Sequence, residues 1–166
     1  MLDSYQNNHL IQALSNLPGR IEECIAALSD TLLGWQPDED SWSIQMVLAH
    51  LLHCEPLFQE RLQHIFDHDN PTLAGFGPEQ ATPISEQSSA ALLDDFVAAR
   101  KQTLTQIYAY SPDDWERPAV HRVQGKTTLK GQIQNIVKHD MEHLGQIYDL
   151  RELWQSQNNH EKEIQE

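Results

Sequence analysis

Asn135-Ile-Val-Lys-His-Asp-Met-Glu-His-Leu-Gly-Gln-Ile is the stretch on which the reading of this chain turns. Its apolar residues recur at helical steps, and on a helix His139 and His143 stack about one turn apart on one side. At about 100° per residue His143 lies about 40° from His139, with Leu150, Ile136 and Ile147 on the same side and Lys138 and Glu142 pointing elsewhere. The pair therefore faces the interior of a helical protein. Two imidazoles on a core-facing arc need partners, because an unpaired buried polar group costs about 1–3 kcal/mol. One metal ion would serve both; separate hydrogen bonds to core partners are the alternative.

Outward from this stretch the same period defines four helices. Leu10, Leu14, Leu17, Ile21, Cys24/Ile25, Leu28 and Leu32 mark a long first helix that Pro18 should kink or restart. The second begins after Ser43 as N-cap and runs to about Phe66, interrupted at Pro56; the third covers about Ser85 to Tyr108; the fourth runs from about Thr128 to Trp154. The reading is an all-α four-helix bundle with long interhelical loops, one domain over residues 1–155, followed by a polar tail, 156–166, that should fray. The connections Gly34–Trp42, Asn70–Pro83 and Tyr110–Lys126 hold six of the eight prolines. Within them only Val120–Val123 suggests a strand. A weak repeat, Gly34-Trp-Gln-Pro with Ser43 against Tyr110-Ser-Pro-Asp-Asp-Trp with Thr128, relates the first helix pair to the second and makes Ser43 and Thr128 equivalent caps.

With 166 residues the chain fits one domain with its own core. Eleven basic against 25 acidic side chains give a net charge of −14, which disfavours nucleic acid and anionic membrane surfaces as partners. No export signal and no apolar run of spanning length is present, so a cytoplasmic protein is expected. Cys24 and Cys54 are too few for a disulfide framework.

The second helix offers a third ligand to the histidine pair. His50 is better aimed at the apolar arc than His53, and Cys54, one turn after His50, is the alternative. Three imidazoles would leave positions open for water or substrate, as catalytic metal sites do. Asp140 and Glu55 also lie among apolar neighbours. They read as catalytic, orienting a ligand imidazole or acting as general base, or as ion-pair partners of Arg61 or Arg100 that fix helix register. Gln146 would hydrogen-bond a bound ligand or cap the core edge, and His121 is the outlying histidine able to reach a site mouth. A zincin is excluded because Asp140, not Glu, follows the first histidine, and a ferritin-like di-iron site because the chain has no Glu-x-x-His pair.

Leu33-Gly-Trp-Gln-Pro, Ser41-Trp-Ser-Ile with His50-Leu, Arg61-Leu, Asn70-Pro-Thr-Leu, Leu104 to Trp115 and, most specifically, His139-Asp-Met-Glu-His-Leu-Gly-Gln-Ile resemble the DinB-like superfamily over nearly the whole chain. The resemblance implies a four-helix bundle with a metal-binding triad, here His50, His139 and His143. It also implies a homodimer and a divalent metal ion, zinc or nickel before iron or manganese, that activates a small thiol or water against a small electrophilic substrate. S-transferase and hydrolase both stand, and the rival is a non-enzymatic binding or sensing bundle. One departure is Gly77 after Gly75-Phe76, where similar sequences carry an acidic residue.

Overall fold

The computed structural model describes the backbone of residues 2–75 and 86–164, with side chains from residue 7 to 158 inside those spans. Among them, helices α1 (Leu2–Ile25), α2 (Asp30–Leu33), α3 (Ile44–Asp67), α4 (Ser89–Tyr108) and α5 (Leu129–Ile164) alternate with strands β1 (Thr72–Leu73), β2 (Pro118–His121) and β3 (Gly125–Thr128). The caps explain where the helices begin. Ser43 accepts the Met46 N–H at 3.2 Å, and Thr128 accepts that of Gly131 at 3.1 Å, as their equivalence in the repeat requires. Ser88 does the same for α4, through Ala91, so that helix starts at Ser89 and later than expected. Gly77, Pro83 and Ser85 lie outside the described residues.

Three expectations need correction. The first helix does not restart at Pro18: α1 is continuous, and the break falls at Ser29, whose hydroxyl caps the four-residue α2. Pro18 has no N–H for the carbonyl of Leu14, and that carbonyl instead accepts from Arg100 Nη1 at 3.5 Å. The last helix does not end at Trp154: α5 runs on to Ile164. The third long loop carries a hairpin wider than Val120–Val123: β2 pairs antiparallel with β3, and β1 adds in parallel to β2. Gly125, at φ 80°, supplies the left-handed residue the turn needs.

Four long helices form the bundle, with α1 packed on α4 and α5, and α3 packed on the same two. Helices consecutive in sequence, α1 and α3 or α4 and α5, thus lie across a diagonal rather than side by side. Each connection must cross an end of the bundle, residues 26–43 at one end and 109–128 at the other, which is why both exceed the short turns of an up-and-down bundle. The core divides into two apolar clusters. One contains Leu17, Leu51, Phe96 and Leu144, the other Leu14, Phe58, Ile107 and Ile136. Along α3, α4 and α5 the division falls beside a buried polar side chain: Glu55 on α3, Arg100 on α4 and Asp140 on α5. Among the described residues no helix is long and apolar enough to cross a membrane.

Candidate metal centre

His50 from α3 meets His139 and His143 from α5, and one ring nitrogen from each lies within 4.8 Å of the others. The Nε2 atoms of His50 and His139 are 3.0 Å apart. Two nitrogens held by one ion at about 2.0–2.1 Å and near-tetrahedral or right angles lie about 2.9–3.4 Å apart, so this spacing suits shared coordination. His143 completes the set, its ring 4.6 Å from His50 and 4.5 Å from His139.

Each histidine of the α5 pair has an oxygen partner at its Nδ1. Asp140 Oδ1 stands 3.4 Å from His139 Nδ1, and Gln146 Oε1 2.9 Å from His143 Nδ1. An acceptor at Nδ1 favours the ring proton there, the tautomer whose Nε2 lone pair is open to a ligand. Burial lowers the pKa of His143 from the ordinary histidine value, outweighing the Gln146 bond. A neutral imidazole is the form a metal binds.

Behind the histidines lies a buried charge network. Arg100 donates from Nε at 2.9 Å and Nη2 at 2.5 Å to Glu55 Oε1, and from Nη1 at 2.6 Å to Asp140 Oδ2. Thr103 donates to Glu55 Oε2 at 2.5 Å. Arg100, Glu55 and Asp140 are 1%, 0% and 2% exposed. One guanidinium against two carboxylates leaves a negative charge without ionic compensation in a low-dielectric core, and a cation among the adjacent imidazoles would offset it. The donor set and this charge both fit a divalent ion.

The two sequence-predicted carboxylates therefore part. Asp140 reaches a histidine of the cluster. Glu55 has both oxygens on Arg100 and Thr103, the ion-pair arrangement that the sequence offered beside the catalytic one; Arg61, the other partner considered, donates to the Ala74 carbonyl at 2.7 Å. His53 is not among the converging side chains. Neither is Cys54, although its Sγ is 3.5 Å from His50 Nε2; burial, then the charges of Glu55 and Asp140, push that thiol up to about 12. His121 Nδ1 accepts the backbone N–H groups of Val123 and Gln124 at 3.3 and 3.2 Å, so its ring is committed to the β2–β3 turn.

Sequence reasoning missed Trp42. Its ring lies 4.9 Å from that of His50 and stacks on His143 at 5.9 Å with 3° between planes. Its place directly before the cap of the ligand-bearing helix was the available signal. Trp42 and His143 share the wall of a cleft of about 510 Å³ with Gln146, Leu150 and two exposed carboxylates, Asp40 and Asp149. The cluster thus has one face toward the Arg100 network and one toward solvent.

Fold and cluster together define a four-helix bundle with a three-histidine candidate metal centre between diagonally connected helix pairs. The chain belongs to the DinB superfamily, whose sequence pattern matches residues 13–147. It is 25% identical over 146 residues to the uncharacterized protein YuaE of Bacillus subtilis strain 168, covering 77% of this chain and 88% of that protein. Among solved structures, YfiT from Bacillus subtilis, described as a probable metal-dependent hydrolase with an unusual four-helix bundle topology, aligns with a TM-score of 0.75 at 15% identity, over 90% of this chain and 88% of that one. A DinB-like protein, YjoA, from Bacillus subtilis aligns with a TM-score of 0.61 at 16% identity, over 87% and 91%.

Proposed function

We propose that the protein is a metal-dependent enzyme in which His50, His139 and His143 hold a divalent ion and the neighbouring cleft admits a small electrophilic substrate. The observation that carries this reading is the convergence of three histidines within 4.8 Å at the wall of that cleft. The description of YfiT as a probable metal-dependent hydrolase supports it. Bound there, a divalent ion acidifies a coordinated thiol or water near neutral pH. Trp42 and Leu150 give the substrate an apolar surface, and the carboxylates of Asp40 and Asp149 disfavour anionic acceptors.

Thiol transfer is the reaction favoured over hydrolysis. A hydrolytic site needs a base for its water, and both carboxylates that the sequence suggested are tied to Arg100. In the transfer a carbon–sulfur bond forms, the acceptor's leaving group departs with its electron pair, and the thiol proton goes to solvent. Elemental analysis of untagged protein tests the metal reading: about one divalent ion per chain is expected. Protein that takes up no metal under supplementation overturns it.

A further inference from the structure

We infer that Arg100 is a positioning residue for the histidine cluster: it turns Asp140 so that its carboxylate holds His139 with the Nε2 lone pair toward His50. The purpose of this device rests on the metal reading; its geometry does not.

Adjacent residues on a helix diverge by about 100°, so α5 alone does not aim Asp140 back at the ring of His139. A second contact has to do so. Arg100 Nη1 holds Asp140 Oδ2 at 2.6 Å, which fixes the carboxylate and leaves Oδ1 as the oxygen 3.4 Å from His139 Nδ1. The guanidinium is itself fixed on every side. Nε and Nη2 converge on Glu55 Oε1, whose partner oxygen accepts from Thr103, while Nη1 also reaches the Leu14 carbonyl that Pro18 leaves free. Its carbon lies 5.1 Å from the Phe96 ring centre. Four helices thus meet at one planar fork, and its contact with Asp140 leads on to a histidine of the cluster. A lysine would keep the charge and lose the fork, because an ammonium is a single compact donor without fixed geometry. A network that served register alone would not control where the His139 proton resides.

Long-range proton–nitrogen correlation on the ¹⁵N-labelled full chain, stripped of metal, reads that proton directly, with His139→Gln assigning the signals. Wild type should carry it on Nδ1. Arg100→Lys should give mixed tautomers and raise the zinc Kd, measured by chelator competition, about tenfold to a hundredfold. Arg100→Met/Glu55→Leu, which removes equal and opposite charges, provides a second variant should the lysine fail to fold. Ile107→Val, which loosens the core elsewhere, should leave tautomer and Kd within about twofold of wild type. Wild-type His139 protonated on Nε2 overturns the inference, as does a folded Arg100 variant with unchanged tautomer and Kd. If the tautomer follows Arg100 while no form of the protein binds zinc, the positioning stands and the metal reading falls.

Discussion

Across the interface of α3 and α5, His50 and His139 face each other Nε2 to Nε2 at 3.0 Å. Two lone pairs repel at that distance, and only a shared proton or a shared cation turns the approach into an attraction. Asp140 Oδ1 stands at the far nitrogen of His139 and favours the proton there, and His143 brings a third ring to the same point, where a proton can serve only two rings and an ion can serve all three.

Metal stoichiometry should follow the cluster and not its neighbours in sequence. The His139→Ala/His143→Ala double variant should lose the ion, and His50→Ala should hold it poorly. His53→Ala and Cys54→Ser should retain about one ion per chain, because neither side chain converges on the site. Plasma emission analysis on matched preparations decides this, and greater loss in His53→Ala than in His50→Ala would reverse the assignment of the third ligand.

Asp140→Asn should weaken metal binding by about tenfold to a hundredfold, since an amide is a poorer acceptor for the His139 N–H than a carboxylate. Far-ultraviolet circular dichroism should stay helical. A variant that unfolds, yet whose residual native fraction binds metal as wild type does, would leave Asp140 with a structural role only.

Removing the guanidinium should cost the fold more than removing a metal ligand does. Arg100→Met leaves Glu55 and Asp140 buried without their counter-charge, and breaking a buried pair from one side costs about 3–5 kcal/mol. Urea denaturation of the apoprotein measures it; a loss under about 1 kcal/mol would mean that water reaches these carboxylates when the arginine is gone.

The helices and the triad were legible because they rest on local chemistry. Ser43 and Thr128 cap what they were expected to cap, and His50, His139 and His143 share an inward aim that angular bookkeeping on single helices can find. What escaped depends on contacts distant in sequence. Asp140 and Glu55 looked alike as carboxylates on apolar arcs, and both pair with Arg100 on a third helix; only their second contacts, His139 for Asp140 and Thr103 for Glu55, separate them. Continuity of α1 through Pro18 has the same origin, a carbonyl partner supplied from α4. The hairpin was missed because its four-residue strands are too short for an alternating pattern to declare itself. Trp42 was read as part of a connection, yet that connection crosses the bundle end and lays the indole against His50 and His143.

Acid should destabilise the apoprotein partly through His143. Burial lowers its folded-state pKa, so as pH falls below the ordinary value of about 6.5 the unfolded chain takes up a proton first. The contribution is complete above about pH 6.5 and is lost as pH falls through the lower folded value. Chelator-treated wild type should therefore show a larger drop in urea midpoint from pH 7 to pH 5 than His143→Gln. Equal drops would assign the acid sensitivity to other groups.

The choice between thiol and water as nucleophile is the most consequential prediction. Thiol transfer is expected because Glu55 is closed off by Arg100 and Thr103 and Asp140 is engaged by Arg100 and His139, so neither of these carboxylates is free to take a proton from water. A thiol has less need of a base, since its pKa already lies near 8.5 and a divalent ion lowers it further. Cys54 is not expected to be the source of that thiol, since it lies outside the converging set and burial pushes it up to about 12. Zinc-loaded or nickel-loaded protein, incubated with a small thiol and an uncharged alkylating acceptor, should form the thioether faster than the His143→Ala variant does, and Cys54→Ser should match wild type. Trp42→Ala should raise KM for the acceptor, because the indole lines the cleft beside His143. Mass spectrometry of the product separates the outcomes: cleavage of activated esters or amides without added thiol would make the protein a hydrolase, and metal-loaded protein inert in both assays would make it a binding module.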